Sequence, residues 1–76
     1  MTREEAIIIA AEALKTTVDE IKENVKEVPE IEGFYIWQNA RGGNSVIIDS
    51  AGERLRATSA VSFDRHLEAF KNGKRN

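Results

Sequence analysis

Apolar residues dominate the start of the chain and predict a helix there. Every residue from Ala6 to Leu14 is apolar except Glu12, whereas an ordinary surface helix carries only one apolar stripe. Thr2 and Glu5 form a capping-box pair, with Thr2 as the N-cap and Glu5 reaching back to it. We therefore expect a helix that is covered on more than one side, by the sheet and by a second helix or another subunit.

The segment after this helix has two interpretations. Apolar residues continue at steps of three and four, which permits one long helix. Thr17 and Glu20 form a second capping box, which favours a break near residues 15–17 and a second helix over residues 18–24. Residues 25–28 either extend that helix or form an edge strand. Pro29 ends either element, because proline removes a main-chain donor and restricts the residue before it.

Two strands in the middle of the chain carry apolar residues on both of their faces. The first covers residues 34–38 and the second residues 45–49, and a polar segment with Gly42 and Gly43 joins them. Strands that are apolar on both faces are typical of sheets with two covered sides. Either the helices at the two ends of the chain share this cover, or one face is left for a partner.

A third strand and a final helix complete the pattern. Gly52 in the segment 49–52 favours a hairpin turn. Residues 53–58 then alternate between basic and apolar side chains, as in a strand with one solvated face. Ser62 is expected to cap a last helix. The core-facing residues of that helix lie at i, i+4 and i+7: Phe63, Leu67 and Phe70.

These elements predict an α+β fold in two layers. It consists of an N-terminal helix or helices, a three-stranded antiparallel meander and a C-terminal helix. The 76 residues form a single domain, 1–76, with residues 72–76 as a flexible tail. A domain of this size has no room for both a core and a deep substrate cleft.

Composition and charge narrow the possible functions. With 41% hydrophobic and 32% charged residues, the chain resembles ordinary soluble globular proteins. It has no cysteine, which excludes disulfides and thiolate chemistry. The net charge of −2 argues against non-specific binding to nucleic acid. Residues 31–76 are nevertheless basic, with seven basic and five acidic side chains.

The apolar segments are too short for a membrane protein. The longest unbroken apolar run, Ala6 to Ala11, does not reach across a bilayer. Glu4 and Glu5 lie where the basic start of a signal peptide would be. We therefore expect a cytoplasmic protein with no membrane partner.

Few residues suggest catalysis. His66 is the only histidine, and Asp64 at i−2 does not share its helix face, so His66 is expected to be a partly exposed helix residue. Ser59 and Ser62 have no adjacent base. One histidine and scattered carboxylates show no metal-ligand spacing. We expect a protein that is not an enzyme and has no cofactor or metal.

Five residues are candidates for binding a partner. Tyr35 and Trp37 share one strand face, where they either pack in the core or contact a protein. Together with Arg54 and Arg56 they would alternatively form a base-stacking platform for nucleic acid. Arg41 lies in the glycine-containing loop, which is either a plain hairpin loop or a partner contact.

The pattern of residues 33–70 resembles small bacterial proteins of unknown function and the YrhB-like immunity proteins of polymorphic toxin systems. The resembling features are the Gly-aromatic strand from Gly33, the glycine pair, the apolar strand ending in Asp49, and Gly52. This resemblance implies a non-enzymatic protein that binds another protein. Our main expectation is therefore a protein-binding or self-associating module with a protein partner or a homodimer. The alternative is a nucleic-acid-binding module.

Overall fold

A four-stranded antiparallel sheet lies at the centre of the computed structural model, which describes residues 2–39, 43–58 and 60–75. The strands follow chain order across the sheet: β1 (Val25–Val28), β2 (Gly33–Trp37), β3 (Asn44–Ile48) and β4 (Arg54–Thr58). Within the described residues, three α-helices accompany them: α1 (Arg3–Leu14), α2 (Val18–Ile21) and α3 (Phe63–Lys71). The α+β prediction is confirmed.

The predicted start and end of the first helix are confirmed. Thr2 Oγ1 accepts a hydrogen bond from the Glu5 N–H at 3.2 Å, and the Glu5 side chain accepts one from the Thr2 N–H at 3.1 Å. Lys15 adopts a left-handed conformation with φ 55°, which ends α1. The second helix exists but stops at Ile21, three residues earlier than predicted.

The predicted three-stranded sheet is wrong, because residues 25–28 form an additional edge strand. Val25 pairs with Ile36 in antiparallel register. Asn24 fixes the end of this pairing: its carbonyl accepts from the Trp37 N–H at 3.2 Å, and its amide donates to the Trp37 carbonyl at 3.0 Å. Pro29 starts a short 3-10 helix directly after the strand, so the proline does end the element as expected.

Helices lie on both faces of the sheet, so the two-layer expectation is not confirmed. The first face packs against α1, with Ile21 of α2 in the same core, and the second packs against α3. Alternate strand residues point to opposite faces, so the central strands β2 and β3 supply both cores. The first core contains Phe34, Ile36, Val46 and Ile48 from the strands. The second contains Val28 and Ile47, with Tyr35 and Leu55 at its margin.

Two glycines fix the hairpins around β3. Gly52 has φ 86° in the predicted turn, and Asp49 Oδ1 accepts from the Ala51 and Glu53 N–H groups at 3.0 and 2.9 Å. Gly33 lies against the end of β3, where a Cβ atom would be only 2.0 Å from the Ile48 carbonyl oxygen. This close contact with β3 leaves no space for a side chain at position 33.

Candidate interaction surfaces

Tyr35 and Trp37 are half-buried on the face of the sheet that carries α3. The rings of Tyr35 and Trp37 stack with centroids 5.6 Å apart, and Tyr35 meets the edge of Phe63 at 4.7 Å. A cavity of about 150 Å³ beside them is lined by Tyr35, Trp37, Ser45 and Val61, among others. Tyr35 therefore packs on the second core, and both Tyr35 and Trp37 stay partly accessible. Contact of these residues with a protein partner stays a prediction.

His66 is not the partly exposed residue that we expected. Its relative exposure is 1%, and that of Ser45 is 4%. His66 Nδ1 lies 3.2 Å from Ser45 Oγ, and Nε2 lies 2.6 Å from the Leu55 carbonyl oxygen. Because a carbonyl can only accept, Nε2 carries the proton and Nδ1 accepts from the serine hydroxyl. Position 66 lies three residues after Phe63, which places it on the core-facing side of α3.

The environment of His66 favours the neutral imidazole. Burial lowers the pKa of His66, and the hydrogen bond to the Leu55 carbonyl opposes that shift only in part. A serine beside an imidazole resembles an activated nucleophile. Here, however, a main-chain carbonyl takes the place of the carboxylate that would stabilise an imidazolium. The Ser45–His66 pair therefore satisfies two buried polar side chains within the second core.

The candidate arginines lie away from the aromatics. Arg56 pairs with Val46, which faces the first core, whereas Tyr35 and Trp37 point to the opposite face. Arg54 shares the face of Arg56, because the two residues are two positions apart in one strand. The structure thus does not join the four residues in one platform. The fifth candidate, Arg41, lies outside the described residues.

The arginines instead line a cleft at the end of α1. This cleft has a volume of about 260 Å³, and its walls are Glu12, Ala13, Lys15, Arg54 and Arg56. Arg56 Nη1 donates to the Ala13 carbonyl at 3.0 Å, which satisfies one of the last carbonyls of the helix. We name this site the basic cleft.

Another surface, between α1 and α2, contains none of the five site residues predicted from the sequence. Ile8 is 53% exposed and Val18 is 40% exposed, and both line a groove between α1 and α2 with a volume of about 460 Å³. Arg3 crosses from α1 to α2, where its guanidinium donates to the Lys22 carbonyl at 3.2 Å. We name this site the α1–α2 groove. Its sequence signal was the excess of apolar residues in α1.

Within the described ranges, no group of three or more potential ligands is placed to hold a metal ion. Over the same residues, no helix has the length and apolar character to cross a membrane. Comparison of the chain with protein-family models, curated proteins and solved structures finds no match. The proposals below therefore rest on the residues and geometry of this chain alone.

Proposed function

We propose that the chain is a small non-enzymatic protein-binding module, and that the α1–α2 groove binds a second copy of the chain. The observation that carries the proposal is the pair of exposed aliphatic side chains, Ile8 and Val18, on one groove. Two large apolar side chains that share a rimmed groove mark an interaction site more often than scattered ones do. Their burial in a dimer would remove apolar surface from water.

The charges around the groove favour a second copy as the occupant. Its rim carries two basic residues, Arg3 and Lys22, and two acidic residues, Glu4 and Glu23. In a two-fold interface every contact occurs twice: if a residue of the first copy contacts a different residue of the second copy, the reverse contact is also present. A rim with equal numbers of both signs can therefore complement itself, whereas a strongly charged partner would find only half of it favourable.

The size of the molecule sets the expected strength. A standard interface takes about 800 Å² from each partner, roughly one-sixth of the 4833 Å² accessible surface of this chain. Ile8 and Val18 alone provide only the centre of such an area. We therefore expect a reversible dimer with a dissociation constant in the micromolar to millimolar range.

Sedimentation velocity over a concentration series tests this proposal. The wild-type chain should shift from monomer to dimer as concentration rises, and Ile8→Lys should remain monomeric. Ile8→Leu is the matched control, because it keeps an apolar side chain at the same exposed site and should still associate. A wild-type chain that stays monomeric at millimolar concentration would falsify self-association through this groove.

The predicted cytoplasmic location and the likeness to immunity proteins remain hypotheses, and both are compatible with a protein-binding role. The nucleic-acid alternative has less support, because its stacking residues, Tyr35 and Trp37, and its arginines, Arg54 and Arg56, lie on opposite faces of the sheet.

The proposed absence of catalysis is supported by the Ser45–His66 pair, which is buried and hydrogen-bonded to a main-chain carbonyl. Turnover of any substrate that is lost in both Ser45→Ala and His66→Gln would overturn it.

A further inference from the structure

We propose that the basic cleft binds an extended acidic peptide segment with carboxylates at alternate positions. This site shares no lining residue with the α1–α2 groove, so the proposal stands independently of self-association. The cleft lies between the end of α1 and the exposed strand β4.

The electrostatics of the cleft favour an anion. Lys15, Arg54 and Arg56 contribute three positive side chains, and Glu12 contributes one negative side chain. All four side chains belong to exposed residues. This local excess of positive charge contrasts with the net charge of −2 of the whole chain. Oppositely charged ligands are therefore directed to this part of the surface.

The spacing of the arginines favours an extended peptide. Arg54 and Arg56 are two residues apart on one face of β4, so their Cα atoms are separated by about 6.6 Å. An extended partner repeats its side chains with the same two-residue period, so alternate carboxylates match this spacing. The Arg54 guanidinium has the fork geometry that binds a carboxylate through two parallel hydrogen bonds. Arg56 already donates to the Ala13 carbonyl and contributes its charge at the neighbouring position.

One wall of the cleft is held in place before any ligand binds. The bond from Arg56 to the Ala13 carbonyl ties β4 to the end of α1. Because this contact fixes the position of the guanidinium charge, less conformational freedom is lost on binding. Arg56 therefore has both a structural and a binding role, whereas Arg54 is better suited to mutagenesis.

The position of the aromatic residues favours peptide over nucleic acid. Binding of single strands commonly combines a basic groove with aromatic rings on which bases stack. Tyr35 and Trp37 lie on the face that packs with α3, across the sheet from the arginines. The basic cleft thus offers charges without these two rings, which suits carboxylates in a peptide.

Fluorescence anisotropy at low salt tests the proposal. The probe is a labelled peptide with glutamate at alternate positions and threonine between them, and the comparison peptide has the same composition with its glutamates clustered. The alternating peptide should bind more tightly. Arg54→Glu and Lys15→Glu should each weaken its binding by about tenfold or more. Arg65→Glu, an equal charge change at an exposed position of α3, should change the affinity much less.

Three results would overturn the proposal. The first is no binding of the alternating peptide, and the second is equal binding of both peptides. The third is tighter binding of single-stranded DNA that is lost in the same cleft variants, which would assign the cleft to nucleic acid. Circular dichroism of Arg54→Glu and Lys15→Glu verifies that both variants are folded, and both sites are exposed. The monomer–dimer behaviour of these variants should match that of the wild type, which separates this test from that of the α1–α2 groove.

Discussion

The two faces of the sheet carry cores of different chemistry. The face under α1 and α2 is built from aliphatic side chains, alanines and one phenylalanine. The face under α3 has a smaller buried cluster, half-buried aromatic rings and the hydrogen-bonded Ser45–His66 pair. One set of strands supplies both, because consecutive residues of β2 and β3 point to opposite sides.

This difference indicates that the helix packed on each face determines how completely the core beneath it is closed. Four alanines of α1 are buried, and these small side chains let the helix pack closely against β2 and β3. The nine-residue α3 is shorter, and it leaves Tyr35 and Trp37 partly accessible. We therefore expect the first core to respond mainly to changes of volume, and the second to respond also to pH and polarity.

The largest expected effect contrasts Ile47 and Ile48. These neighbours are both fully buried but face different cores. Truncation of a buried isoleucine to alanine costs about 2–5 kcal/mol, and the cost rises with the cavity that remains. Ile48→Ala should lie near the upper end, because its surroundings are closed. Ile47→Ala should cost less, because half-buried Tyr35 and Leu55 can move into the space. Urea denaturation measures both free energies of unfolding.

A domain of this size has a free energy of unfolding of only about 3–5 kcal/mol, so Ile48→Ala can leave too little folded protein to measure. The valine variants at both positions serve as the milder pair, at about 0.5–1.5 kcal/mol each. Equal losses at positions 47 and 48 would show that the two cores do not differ in how well they close around a void.

The next effect is a pH dependence confined to the second core. Burial lowers the pKa of His66 below the value of about 6.5 found in unfolded chains. Between these two values the unfolded state binds more protons, so stability falls as the pH drops below about 6.5. The slope is at most about 1.4 kcal/mol per pH unit. Well above pH 6.5, where the imidazole is neutral in both the folded and the unfolded state, this histidine should contribute no slope.

His66→Gln is the control for this pH effect, because glutamine keeps polar atoms but does not titrate. Its unfolding free energy should be flat where the wild type slopes. Hydrogen bonds from the main chain and then the side chain of Thr2 lower the pKa of Glu5. The stability from that carboxylate is lost at lower pH, in the acidic range, so it does not mask the histidine. A wild type without any slope between pH 5 and 6.5 would contradict this account.

The smallest effect compares the N-caps of the two long helices. At α1 the cap is reciprocal, with hydrogen bonds of 3.2 and 3.1 Å between Thr2 and Glu5. At α3 the Ser62 hydroxyl accepts one bond from the Arg65 N–H at 3.4 Å. Loss of an N-cap costs about 0.5–2 kcal/mol. We expect the free energy of unfolding to fall by about 1 kcal/mol in Thr2→Ala and by about 0.5 kcal/mol in Ser62→Ala. Thermal or urea unfolding measures both losses. A larger loss in Ser62→Ala than in Thr2→Ala would contradict this ranking.

Much of the fold can be predicted from local sequence patterns. The caps at Thr2 and Ser62, the turn at Gly52 and the strands from Gly33 to Ile48 all depend on neighbouring residues. The edge strand at residues 25–28 does not, since four residues of mixed character are compatible with helix or strand. Its pairing with β2 decides the outcome, and pairing is a tertiary interaction.

The candidate surfaces were harder to predict, for reasons that differ from residue to residue. The burial of His66 could have been found, because Phe63, Leu67 and Phe70 define a helix face that includes position 66. Its contact with Ser45 required the register of β3 against α3. The separation of Arg54 from Tyr35 likewise depends on cross-strand register, which a strand's own alternation does not supply.

The order of strands in the sheet also affects how the chain finds its fold. Each strand pairs with the strand that precedes or follows it in the sequence, so the sheet can grow one hairpin at a time. Only short loops must close at each step, and the entropy lost in each closure is small. These pairings within the sheet join residues that are close in the sequence, which favours faster folding of the sheet and shortens the time during which the apolar strands are open to aggregation.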